Sequence, residues 1–271
     1  MSNSITNIRG RDADLWLLDE AAIDRLDGIA HPERLLSADE LERFARLRRD
    51  SVRRRFLGGR MLCRHALSAY ADVAPADWRF TYGAYGRPEI ESNPWGLLFN
   101  VSHTEGLLAC VVARESLCGV DVELTPARPA AVALADKHFA VAEQAALRSL
   151  VPELRAARFV DYWVLKESYT KALGTGLSRR LSTFAFDLRG DPIAVHDAER
   201  DPEEARRWRF ELLRVGRRHA CAVAIRGDEP RAARAHVRTV DFATAMAAGR
   251  RPSCVRRHAE QRLPRRSSGH A

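Results

Sequence analysis

At 271 residues, with 46% hydrophobic and 30% charged side chains, the chain has room for one large globular domain or two small ones. No apolar run nears the roughly 20 residues of a membrane-spanning helix, and the opening MSNSITNIRGRDAD lacks a secretory leader's apolar stretch, so a cytoplasmic protein is expected. The net charge of +8 and pI of about 9.7 raise nucleic acid as a partner, but ten arginines against four acids after residue 227 place about +6 in the tail and about +2 in the rest.

In chain order, the hydrophobic pattern predicts a strand over 14–19 and a helix opened by the capping box of Ser37 and Glu40. A longer helix over 52–70 follows. Strands are expected at 78–82, 97–102 and 107–113, the last two joined as a hairpin by HTEG. From Cys118 the order starts again. CGVDVEL reads as a strand, VAEQAALRSL and ARFVDYWVLKESYTKAL as helices, and STFAFDL, RWRFELLRV and HACAVAI as strands. The expected fold class is therefore α+β, two similar α/β halves related by a pseudo-twofold axis, with a ligand cleft where they meet. The expected boundaries are 1–116, 117–227 and a basic, disordered tail over 228–271, too poor in large apolar residues to offset its chain entropy. Cys63, Cys110, Cys118, Cys221 and Cys254 are widely spaced without a CxxC pair, which favours buried, reduced thiols over a disulfide frame or a zinc site.

The stretch GVDVE raises the question of chemistry, because Asp121 and Glu123 alternate on one face of a strand, and like charges side by side are costly without a cation between them. On the later helix, Trp163, Glu167 and Lys171 follow at steps of four and share a face. By themselves they read as a core tryptophan beside an exposed ion pair. A third carboxylate packed over the strand would instead complete an all-oxygen site suited to Mg²⁺, which is held by few carboxylates together with substrate phosphates. Phosphate donors are then sought elsewhere: Ser102 and His103 at the hairpin mouth, Arg87 in YGRPEI, and Arg53, Arg54, Arg55, Arg60 and Arg64 on the 52–70 helix.

In these motifs the chain resembles the 4′-phosphopantetheinyl transferases of the Sfp type. GxDxE is matched by Gly119, Asp121 and Glu123, and W-x-x-K-E-[SA]-[FY]-x-K by Trp163, Lys166, Glu167, Ser168, Tyr169 and Lys171. F-[NS]-x-S-H is matched by Phe99 to His103, and a GKP-like loop by Gly86, Arg87 and Pro88, with arginine in place of lysine. The four motifs occur in order between Gly86 and Lys171, and the resemblance covers about residues 10 to 226. The resemblance implies coenzyme A bound at the junction of the halves and transfer of its phosphopantetheine arm to a serine of an apo acyl or peptidyl carrier protein, releasing adenosine 3′,5′-bisphosphate. It implies Asp121, Glu123 and Glu167 as Mg²⁺ ligands, Glu167 and Lys171 as catalytic residues, and His103 on the 3′-phosphate. Arg53, Arg60, Arg87 and Ser102 are further candidates for the coenzyme A side.

Acidic carriers would be steered by an arginine-rich rim, and one chain carrying both halves favours a monomer. Carriers of polyketide, nonribosomal peptide or fatty-acid synthesis all fit, and the residues do not choose among them. Two other readings fit part of the pattern: an Mg²⁺-dependent phosphodiesterase or nuclease using the same acids, and a basic nucleic-acid-binding protein. Deleting 228–271 separates the last of these, since a transferase is expected to keep its activity without that segment.

Overall fold

The computed structural model describes residues 12–25, 31, 34–229 and 234–247. Eleven strands are found among them: β1 (Ala13–Asp19), β2 (Phe80–Tyr82), β3 (Pro88–Ile90), β4 (Leu97–Thr104), β5 (Leu107–Arg114), β6 (Cys118–Leu124), β7 (Phe184–Asp187), β8 (Ala194–Asp197), β9 (Trp208–Val215), β10 (His219–Arg226) and β11 (Val237–Asp241). Between them come α1 (Ala38–Arg46), α2 (Asp50–Ser68), the short turns α3 (Pro129–Val132) and α4 (Ala135–His138), α5 (Val141–Arg148), the long α6 (Pro152–Leu173), α7 (Pro202–Ala205) and α8 (Phe242–Ala247). No helix among the described residues is long and apolar enough to cross a membrane.

The two larger sheets have orders β11-β1-β5-β4 and β6-β10-β9. Setting β11 aside, each half follows one plan: its first strand pairs antiparallel with its last, and the last pairs with the strand before it. A two-stranded ribbon accompanies each sheet, β2 with β3 and β7 with β8. The strand expected at 78–82 begins only at Phe80, because Trp78 turns inward and is buried to 2% exposure.

Alternation of side chains builds three apolar layers. On β5, Leu108, Cys110 and Val112 face α2, while Leu107, Ala109, Val111 and Ala113 join Val120, Val122, Cys221 and Val223 between the sheets. On β10, Ala220, Ala222 and Ala224 face α6. Both inner strands are therefore buried on both faces, which is why they read as unbroken apolar runs. The four cysteines among the described residues are free and buried, and desolvation pushes Cys63 and Cys118 up to about 12.

Local chemistry sets the helix ends. Ser37 Oγ accepts from the Glu40 amide and Glu40 returns the bond to the Ser37 amide, the expected capping box. α6 starts at a proline and stops at Gly174, whose φ of 73° is the left-handed cap that favours glycine.

The expected disordered tail needs correction. Residues 237–247 form β11, parallel to β1, and α8, with Val240 and Phe242 essentially fully buried. Arg238 pairs with the buried Asp14, which also accepts from Tyr70 Oη at 2.6 Å. Few apolar residues suffice here because β1 offers a ready-made edge of backbone partners. Residues 230–233 and 248–271, including Cys254, lie outside the described residues.

Candidate active site

The site forms where edge strands β4 and β6 and helix α6 meet. Gly119 makes that meeting possible: a Cβ there would run into the Ser168 carbonyl oxygen and stand 2.6 Å from the Ala172 amide nitrogen. Only glycine lets the helix backbone lie directly on the strand. Two and four residues on, Asp121 and Glu123 stand beside the helix face that carries Glu167 and Lys171.

Asp121 is the hub. Its Oδ1 accepts from Ser102 Oγ at 2.8 Å and from Lys171 Nζ at 3.2 Å, while Oδ2 is buried without a partner. Glu167 Oε1 is likewise buried and unpartnered. Glu123 takes a bond from Thr104 Oγ1 at 3.3 Å. Burial raises the pKa of all three acids, and their mutual repulsion adds to it for Glu123 and Glu167; Glu167 is pushed up to about 7. Three carboxylates facing one ammonium leave a deficit of positive charge.

That deficit and the two orphaned oxygens test whether a divalent cation suits these residues. The donors are all hard oxygens, and the oxygens left without hydrogen bonds belong to the strand acid and the helix acid, so the set fits Mg²⁺. No group of three or more His, Cys, Asp or Glu side chains among the described residues forms a ready metal cage. Mg²⁺ does not require one, since waters and substrate phosphates supply much of its shell.

His103 points to the opposite face of β4, toward α2. Its pKa is lowered by desolvation, then by Lys171 and Arg55. Arg55 is held by Glu20 at 3.2 Å, and Glu20 also accepts from the Gly106 amide at the hairpin turn. Lys171 and Arg55 are thus the cations whose charge reaches His103.

The other predicted arginines are placed differently. Arg87 donates to the Ala172 carbonyl at 2.7 Å and, more loosely, to those of Lys171 and Cys118, closing the C-terminal end of α6 onto β6. It also lines a cavity of about 240 Å³ with Ile90, Asn93, Phe99 and Leu117. Arg53 caps α1 through the Phe44 and Leu47 carbonyls and stacks on Phe44. Arg60 pairs with Glu40 at 2.9 Å in a separate cavity beneath Trp78 and Tyr82. Neither joins the carboxylate cluster. Arg55 is among the helix arginines sought as phosphate donors but, as one of three consecutive arginines, is not carried into the coenzyme A set; Thr104, which bonds Glu123, is not singled out by the motifs, and only the two-residue step from Ser102 hints at it.

Lys166, the motif lysine next to Glu167, is fully buried. It binds Glu143 at 2.8 Å and the carbonyls of Leu181 and Phe184. Trp163 packs with Phe139 and Phe159. Both orient α6 from its far side.

The 4′-phosphopantetheinyl transferase superfamily matches residues 117–224, the half that carries the acids. The chain is 37% identical to 4′-phosphopantetheinyl transferase HetI of Nostoc sp. over 53% of its own length and 62% of HetI. It is 30% identical to Sfp of Bacillus subtilis over 59% of its length and 75% of Sfp. With the human L-aminoadipate-semialdehyde dehydrogenase-phosphopantetheinyl transferase it shares 30% identity over 63% of its length and 60% of the relative. The class defined by these matches, an acid-strand and helix pair on a mixed α and β frame, is that of phosphopantetheinyl transfer enzymes. The chain belongs to the 4′-phosphopantetheinyl transferase superfamily.

Proposed function

We propose that the chain transfers the 4′-phosphopantetheine arm of coenzyme A to a serine hydroxyl of an acidic apo carrier protein. The observation that carries this reading is the convergence of Asp121, Glu123 and Glu167 around a single lysine, with buried oxygens of Asp121 and Glu167 left unpartnered. Asp121, Glu123 and Glu167 would hold Mg²⁺, which when bound supplies charge neutralisation and polarisation of a diphosphate.

In the reaction the serine oxygen forms a bond to the β-phosphorus, the bond to the bridging oxygen breaks, and adenosine 3′,5′-bisphosphate leaves. Lys171, which contacts Asp121, would donate to the diphosphate and to the leaving oxygen. Glu167 accepts the serine proton, directly or through a water. His103, with Arg55 on the α2 side of β4, would take the 3′-phosphate of coenzyme A. Arg87 serves this site by fixing the end of α6 on β6. Arginines exposed at the junction of α1 and α2, among them Arg46 and Arg49, offer an acidic carrier a complementary rim. Action as a cytoplasmic monomer completes the reading.

The test is incubation with coenzyme A, Mg²⁺ and a panel of apo carrier proteins, read by mass spectrometry. A mass gain of one phosphopantetheine on the carrier serine is expected, and Glu167→Ala is expected to abolish it. Release of product from coenzyme A with no carrier modified would overturn the assignment in favour of a phosphodiesterase.

A further inference from the structure

β4 and β6 are neighbouring edges of two different sheets and share no backbone ladder. They are joined by side chains. Asn100, Ser102 and Thr104, at alternate positions of β4, all leave the strand on the face away from α2, the face whose apolar members pack between the sheets. Asn100 Oδ1 accepts from the Val120 amide at 3.0 Å, Ser102 donates to Asp121 at 2.8 Å, and Thr104 donates to Glu123 at 3.3 Å. The first rung sets the register of the two strands; the next two each hold one oxygen of a site carboxylate.

From this comb of rungs we infer that Thr104 is a positioning residue for Glu123. Glu123 carries its carboxyl two methylenes beyond the backbone at a partly exposed strand end. Unlike Asp121, it receives no bond from Lys171; Thr104 Oγ1 is the side-chain donor on it. A hydroxyl donating to one oxygen selects a rotamer and leaves the other oxygen free to face a cation, the role outer partners play for ligating carboxylates. The same geometry reassigns Ser102: its hydroxyl is committed to Asp121, so it acts through that acid instead of on coenzyme A.

This inference rests on the proposed function, and its test separates the two. Mn²⁺ affinity is measured by calorimetry with coenzyme A present for the parent, Thr104→Val and Thr104→Ser, with melting temperature followed alongside. Thr104→Val keeps the shape and loses the hydroxyl; it is expected to bind Mn²⁺ about tenfold more weakly, with melting close to the parent. Thr104→Ser restores the donor and is expected within about twofold of the parent, on the same scale. A valine variant that binds Mn²⁺ like the parent, or a serine variant as weak as the valine one, overturns the role of Thr104 alone. A parent that binds no Mn²⁺ with coenzyme A overturns the underlying reading and this inference with it. If Thr104→Val does not fold, Thr104→Ala takes its place under the same criteria.

Discussion

A Cβ on Gly119 would occupy the place of backbone atoms of α6, and no rotamer can relieve that clash because the obstructing atoms are not side-chain ends. Gly119→Ala must therefore push the helix away from β6 and carry Glu167 and Lys171 from Asp121. Overpacking of this kind costs about 1–3 kcal/mol. A urea denaturation curve is expected to show a loss in that range together with a sharp fall in turnover; parent-like stability and turnover would show that the helix does not rest on the strand here. Arg87 teaches a second lesson at this scale. Its position in a glycine–proline loop marked it as a phosphate contact, yet its guanidinium fork is spent largely on carbonyls at the end of α6. Charge and loop context identify a residue that matters at the site, but not whether it acts on the substrate or on the helix that holds the substrate's partners.

At the scale of elements, the parts of the site with strong local signatures were legible in the sequence. Period two placed Asp121 and Glu123 together, and period 3.6 placed Glu167 and Lys171 on one helix face. Which face of the strand the helix covers is a tertiary fact, settled by Gly119. The seam between β4 and β6 was not legible, because it has no backbone ladder and its bridging Asn, Ser and Thr look like ordinary polar alternation at a strand end. Lys166 was legible as a motif residue, but its pairing was not, for a related reason: its partner Glu143 lies on another helix, and burial of a paired lysine leaves no periodic trace. The ribbon strands β3 and β8 escaped notice because three or four residues carry too little alternation to separate a strand from a loop.

At the scale of the molecule, the two halves share one strand order and one buried layer between their sheets, so the site is supported from both sides. Only the first half carries an added edge, β11, followed by α8. Its basic, proline-flanked sequence concealed an ordered segment whose Arg238 neutralises Asp14 and whose Phe242 packs edge-on against Trp16. Removing residues 234–271 takes Arg238 away from the buried Asp14 and uncovers the edge of β1. Breaking such a buried ion pair costs about 3–5 kcal/mol. The truncated chain is expected to melt well below the full chain, whereas removal of 248–271 alone is expected to leave melting close to the parent. Equal melting of the two truncations would mean that β11 adds nothing to the fold. The consequence for function is that loss of activity on removing the whole tail cannot be read as loss of a nucleic-acid contact.

All of these scales bear on one proposed arrangement, in which a strand pair of acids and a helix acid would share one divalent ion with a diphosphate. Electron paramagnetic resonance of Mn²⁺ titrated into the protein with coenzyme A measures it directly. One bound ion per chain is predicted, lost in Glu167→Gln and in Asp121→Asn while both variants keep the parent's far-UV circular dichroism. Undiminished Mn²⁺ binding in Glu167→Gln would contradict the account.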